Sequence, residues 1–183
     1  MKMAEMFQRE LAAEVERSKR ALEQVPDGKY DWKPHEKSMK FGPLVEMVAM
    51  IPSWVAMMVT KDQLDIAPAT PQQKPEPMRT SAELLTGLDK AAADARTALE
   101  GATDEFLNTP WKLLAGGQVV VEALRHEMIR DTFNHLAHHR GQMTVYLRLM
   151  GATVPALYGP SADDNRFTWP TTNDSRSTPV NAA

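Results

Sequence analysis

The chain of 183 residues contains no cysteine. That excludes disulfides, cysteine-ligated zinc, iron–sulfur clusters and a thiol nucleophile. A metal would have to be held by His, carboxylate, Met or water. Excess positive charge is also lacking: 21 Lys and Arg stand against 24 Asp and Glu, a formal net charge of −3. The basic surplus that drives sequence-independent nucleic-acid binding is therefore missing. No stretch reaches the ~20 consecutive apolar residues of a membrane helix. The richest, from Leu44 to Thr60, is interrupted by Glu46, Pro52 and Ser53. The opening run MKMAEMFQRELAAEVERSKR carries charge every few positions and no apolar signal region. The sequence also has no internal repeat. These absences lead us to expect a cytoplasmic protein without nucleic-acid or membrane partners. The apolar share of 43% and charged share of 25% suit a globular chain of about one domain.

Apolar periodicity then predicts an all-α chain. Phe7, Leu11, Val15, Leu22 and Val25 recur at helical steps over residues 4–24, with Ser18 filling a gap in the stripe. Pro26-Asp27-Gly28 ends that helix. A second helix is predicted over 43–61, with Leu44, Met47, Val48, Ile51, Trp54, Val55 and Met58 on one face. Pro52 inside it should kink or split it. After a proline-rich connection, Thr80-Ser81-Ala82-Glu83 reads as a capping box opening a third helix over 80–100, stopped at Gly101. Residues 102–118 read as irregular, with turns at Thr109-Pro110-Trp111 and Gly116-Gly117 and room for a short hairpin. The fourth helix is predicted over 121–150, ended by Gly151. Four striped helices joined by long connections make a four-helix bundle.

The run His135-Leu136-Ala137-His138-His139-Arg140-Gly141-Gln142 carries the chemistry. At about 100° per residue, Ile129, Phe133, Leu136, Met143, Leu147 and Met150 form the apolar stripe of helix four. His135 and His139, four apart, stack on one flank of it, with Asp131 one turn earlier and Tyr146 near the same flank. His138 points toward solvent. Two His at this spacing can share one metal ion, as in zinc-binding HExxH helices, and Asp131 could orient His135. The alternative is a pair of core-edge His bonded to backbone or carboxylate. Arg140 falls near the middle of the apolar stripe, so it should be at least partly buried and paired. Gly141 weakens the helix by roughly 1 kcal/mol against Ala, which close approach of another backbone would explain.

The motif H-x-x-x-H-R-G-Q, continued by VYLRLMGATVPALYGPSADD, resembles the DinB-like (DinB/YfiT) superfamily of four-helix bundles. The upstream stretch DWKPHEKSMKFGPLVEMVA is similar to the same family's entry into helix two. The resemblance implies a bundle over 1–160 and an extended, irregular C-terminal tail over 161–183. It also implies a homodimer and a divalent metal, zinc or nickel, held by three His, with no organic cofactor. Two of those ligands would be His135 and His139. The third, from a G-x-L-x-x-H pattern on helix two, falls on Met47. A thioether is a poor ligand for zinc or nickel. Met47, Asp131, Arg140, Gln142 and Tyr146 would line the site.

Some relatives in this superfamily are S-transferases that use a low-molecular-weight thiol, others are described as metal-dependent hydrolases, and many have no known activity. The expectation for this chain is such an enzyme with a degenerate metal site, acting on a small-molecule substrate or thiol. The competing expectation is a non-catalytic bundle that binds a ligand or another protein.

Overall fold

The computed structural model describes residues 1–70 and 76–165. Four long helical segments form the frame: α1 (Met3–Leu22), the consecutive pair α2 (Phe41–Met50) and α3 (Pro52–Thr60), α4 (Ser81–Glu100) and, last in the chain, α6 (Arg125–Leu149). Between them lie β1 (Gln63–Asp65), the single turn α5 (Asp104–Leu107), β2 (Pro110–Ala115) and β3 (Gln118–Leu124). The chain is therefore not all-α. A three-stranded mixed sheet of order β1-β2-β3 stands beside the bundle, with β1 parallel to β2 and β2 antiparallel to β3.

The sheet has a local cause and a distant one. Gly116 and Gly117 adopt φ of 60° and 79°, the left-handed pair of a tight hairpin turn. The β-branched run Val119-Val120-Val121 follows and pairs with β2. Residues 121–124, predicted as the start of the last helix, belong to this strand, and the helix begins at Arg125. The distant cause is Asp65. Its carboxylate accepts from Gly116 N (3.0 Å), Gly117 N (2.7 Å) and Ala67 N (2.9 Å), locking the hairpin tip onto the end of β1.

The helices follow their stripes. Phe7, Leu11, Leu44, Val48, Val55, Leu84, Leu88, Ile129, Leu136 and Leu147 are all buried in one core. Pro52 ends α2 and sits in the first turn of α3, so the predicted second helix is two helices meeting at 49°. No single described helix is long and apolar enough to cross a membrane; the bent α2–α3 pair is, by length and composition, but its stripe lies in this core. Thr80 accepts from Glu83 N at 3.2 Å while the Glu83 carboxylate accepts from Thr80 N at 2.9 Å, the expected capping box. Gly42 is required by contact: a Cβ there would lie 2.3 Å from the Tyr30 ring.

Arg125 knots the sheet to the bundle. Only 2% exposed, it donates to Thr109 Oγ1 (2.9 Å), Lys61 O (2.7 Å), Met58 O and Asp62 Oδ1 (2.6 Å). Its guanidinium also lies 4.4 Å over the Phe106 ring. The expected tail over 161–183 lies outside the described residues from 166 onward. Within the described part, Ser161 Oγ donates to Val154 O and Asp163 pairs with Arg148, bonding these residues back to the preceding segment.

Candidate functional site

α6 carries the histidines one turn apart, and the structure brings them into direct contact. His135 Nε2 and His139 Nε2 lie 2.8 Å from each other. His139 Nδ1 lies 2.9 Å from Gln142 Oε1. An amide oxygen only accepts, so His139 carries its proton on Nδ1 and turns an Nε2 lone pair toward His135, which donates from its own Nε2. His139 is buried and His135 half-buried, with the Trp54 and His135 rings in a T-shaped arrangement, centroids 5.2 Å apart. Burial, with His139 alongside, holds the His135 imidazole below its usual pKa, and Asp131 opposes this only in part. His135 is therefore neutral near pH 7.

Of the other residues singled out from sequence, Asp131 sits one turn before His135, exposed, on the rim of the adjoining cavity. Met47 is half-buried in α2 and packs on the core. Tyr146 bonds Met39 O through its hydroxyl (3.3 Å) and sets its ring against Trp32 and Phe41. Arg140 points the opposite way, into the core between α6 and α1. It is fully buried, donating to Glu14 Oε2 (2.5 Å), Glu14 O (3.0 Å), Ser18 Oγ (3.0 Å) and the Tyr158 hydroxyl. Arg140 thus lies apart from the histidine pair, in a structural cluster that also takes in Arg17. Gly141 is exposed, and no described residue comes within 4 Å of where its Cβ would be. The backbone approach expected there does not occur within the described chain.

Next to His135 opens a cavity of about 280 Å³ that the sequence did not reveal. α3 supplies Trp54, Met57 and Met58, and α6 supplies Met128, Asp131, Thr132 and His135. The sheet side closes it with Trp111 and Leu113 from β2 and Leu64 and Ile66 from the β1 region. Its residues come from three separate stretches of chain, so no local motif marks it. The nearest sequence signal is the unusual run of Trp and Met on the second helical stripe. Trp111 is held in place by its indole N–H, which donates to Lys61 O at 3.1 Å.

The sequence model of the DinB family matches residues 1–174. The chain belongs to the DinB family. Solved DinB-like structures share the fold of this family member. One from Bacillus cereus ATCC 10987 superposes with a TM-score of 0.66 at 22% identity, covering 84% of this chain and 97% of that one. One from Bacillus subtilis gives 0.62 at 19% identity, covering 81% and 94%. The uncharacterized protein YrdA of Bacillus subtilis (strain 168) is 57% identical over 30 residues, a stretch that spans 18% of that protein and 16% of this one.

A DinB chain of the three-His kind needs three ligands, and the donors present do not make that set. Metal–nitrogen bonds of ~2.0–2.1 Å drawn to nitrogens 2.8 Å apart would close an angle of roughly 86°, far from tetrahedral but near that of two adjacent octahedral ligands, so what is missing is the third donor. No group of three or more His, Cys, Asp or Glu able to hold a metal exists among the described residues. The thioether at Met47 does not repair the deficit. The residues of this DinB protein therefore do not fit a three-His centre.

Proposed function

We propose that this DinB-family protein is a small-molecule-binding protein whose ligand enters the chamber between α3, α6 and the sheet. The observation that carries this reading is the 280 Å³ cavity, apolar over most of its wall, with His135, Asp131 and Thr132 gathered on one side. Ligand sites have this composition: an apolar wall that supplies affinity and a few polar groups that orient. Trp and Met side chains suit the role, since large rings contribute area and thioethers adapt to shape.

Calorimetric titration with a neutral probe, 2-phenylethanol, tests the reading. Binding to the wild type is expected, with loss of binding in Leu113→Trp and in Met57→Trp, each of which fills the cavity. Circular dichroism checks that both variants fold. Absence of binding to the wild type, or unchanged binding in both folded variants, overturns it.

The metal-dependent hydrolase or thiol S-transferase reading has one supporting observation. Gln142 on His139 Nδ1 is the kind of acceptor that turns the opposite nitrogen of a ligating His outward. That reading requires a third ligand in addition to the two His, and metal titration decides it.

A further inference from the structure

Of the eleven described side chains around the chamber, Asp131 is the only carboxylate. Among the described residues, no Lys or Arg lines it. Arg125, a buried cation at the start of α6, spends its guanidinium on Thr109, Met58, Lys61 and Asp62 and lines a different cleft. An anionic ligand would therefore lose its hydration on entry and find no counter-charge, a costly transfer. A cation would find three favourable features: the Asp131 carboxylate at the rim, the imidazole of His135 beside it, and the indoles of Trp54 and Trp111. Indole faces attract ammonium groups through the ring quadrupole.

Size narrows the ligand further. A dry cavity of about 150 Å³ holds one benzene. The 280 Å³ here accommodates a single ring with a short chain.

Resting on the ligand-binding reading above, we infer that the chamber selects small primary amines with an aromatic or branched apolar body, seating the ammonium between Asp131 and His135. The same charge pattern works against the carboxylate-bearing ends of low-molecular-weight thiols, which would have to remain outside the chamber.

The test compares three probes of one shape on the full chain: 2-phenylethylamine, 2-phenylethanol and phenylacetate, titrated by calorimetry at pH 7.5. The amine should bind about three- to tenfold more tightly than the alcohol, the range expected of a partly exposed carboxylate aided by an aromatic wall. Phenylacetate should bind weakest. Asp131→Asn should bring the amine to within twofold of the alcohol measured on the same variant, a loss of selectivity that a general loss of structure would not produce. If the alcohol binds but the amine binds no better, or phenylacetate binds as well, the inference fails while the chamber reading stands. If none of the three binds, both fail.

Discussion

Arg140 on α6 and Glu14 on α1, 126 residues apart in the chain, form a buried ion pair at 2.5 Å, with Ser18 and Tyr158 completing the shell around the guanidinium. Glu14 also takes Arg17 at 2.5 Å. Neither Arg17 Nε nor Arg140 Nε has a hydrogen-bond partner among the described residues. The cluster thus places two cations on one carboxylate in the seam between the first and last helices. Removing Glu14 strands two buried cations, and removing Arg140 strips Glu14 Oε2 and Ser18 Oγ of their buried donor, losses that cost more than the pair itself contributes. Arg140→Ala and Glu14→Ala are each expected to lower stability by about 3–5 kcal/mol in urea unfolding. A change within about 0.5 kcal/mol, typical of surface sites, would mean the pair is not buried in solution.

Tyr158 seals the same cluster from the C-terminal segment, donating to Glu14 Oε2 at 2.8 Å with its ring 4.4 Å from the Arg17 guanidinium. The residue is half exposed, but the burial of its hydroxyl end in the cluster, outweighing the lowering effect of Arg140, pushes its phenol up to about 12. A raised folded-state value means that the stabilisation is fully present below the unfolded value of about 10 and is lost as pH rises through 12. Ultraviolet difference titration of wild type against Tyr158→Phe should assign a phenol ionising near 12 to this residue. A difference spectrum centred at 10 would show Tyr158 free in solvent. Urea unfolding of Tyr158→Phe at pH 7.5 should show a loss of about 1.5 kcal/mol, the low end of the range for a hydrogen bond to a charged group, because the residue is half exposed.

His135 gives stability a dependence on pH in the opposite sense. Its value is lowered in the fold, chiefly by burial, so the unfolded chain binds the proton more readily. The contribution is present above the unfolded value of about 6.5 and lost as pH falls through the lowered folded one. Unfolding measured at pH 7.5 and 5.5 should show a loss on acidification that His135→Gln diminishes. The carboxylates with depressed values, such as Asp65 and Asp163, stay ionised throughout this interval and do not obscure the comparison. An identical pH dependence in wild type and variant would contradict this account.

The third family ligand position can be restored. Met47→His is expected to raise zinc and nickel affinity by orders of magnitude over wild type, because three imidazoles and an open position make a competent centre where two do not. Parallel calorimetric titrations read this directly. Tight stoichiometric metal binding by the wild type would establish that a different group completes the site and would favour the enzyme reading.

Much of the architecture is written in local pattern. The stripes of α1, α4 and α6, the Thr80–Glu83 box and the break at Pro52 depend on residues three or four positions apart, which the chain carries in any context. The H-x-x-x-H spacing belongs to the same class, and so does the burial of Arg140, which follows from its place on the helical wheel. Other features were beyond its reach because they depend on segments far apart in sequence. The Gly116-Gly117 turn and the valines after it mark a hairpin locally, but Val121 also continues a plausible helical stripe. Pairing with Leu113, and Asp65 gripping the turn from fifty residues upstream, decide for strand. Glu14 as the partner of Arg140 requires α1 and α6 to pack. The chamber exists only where α3, the sheet and α6 converge around Trp54, Trp111 and His135. Hydrogen-bond periodicity is a property of neighbours and is legible in one dimension, whereas a cavity and a buried ion pair are properties of closure in three.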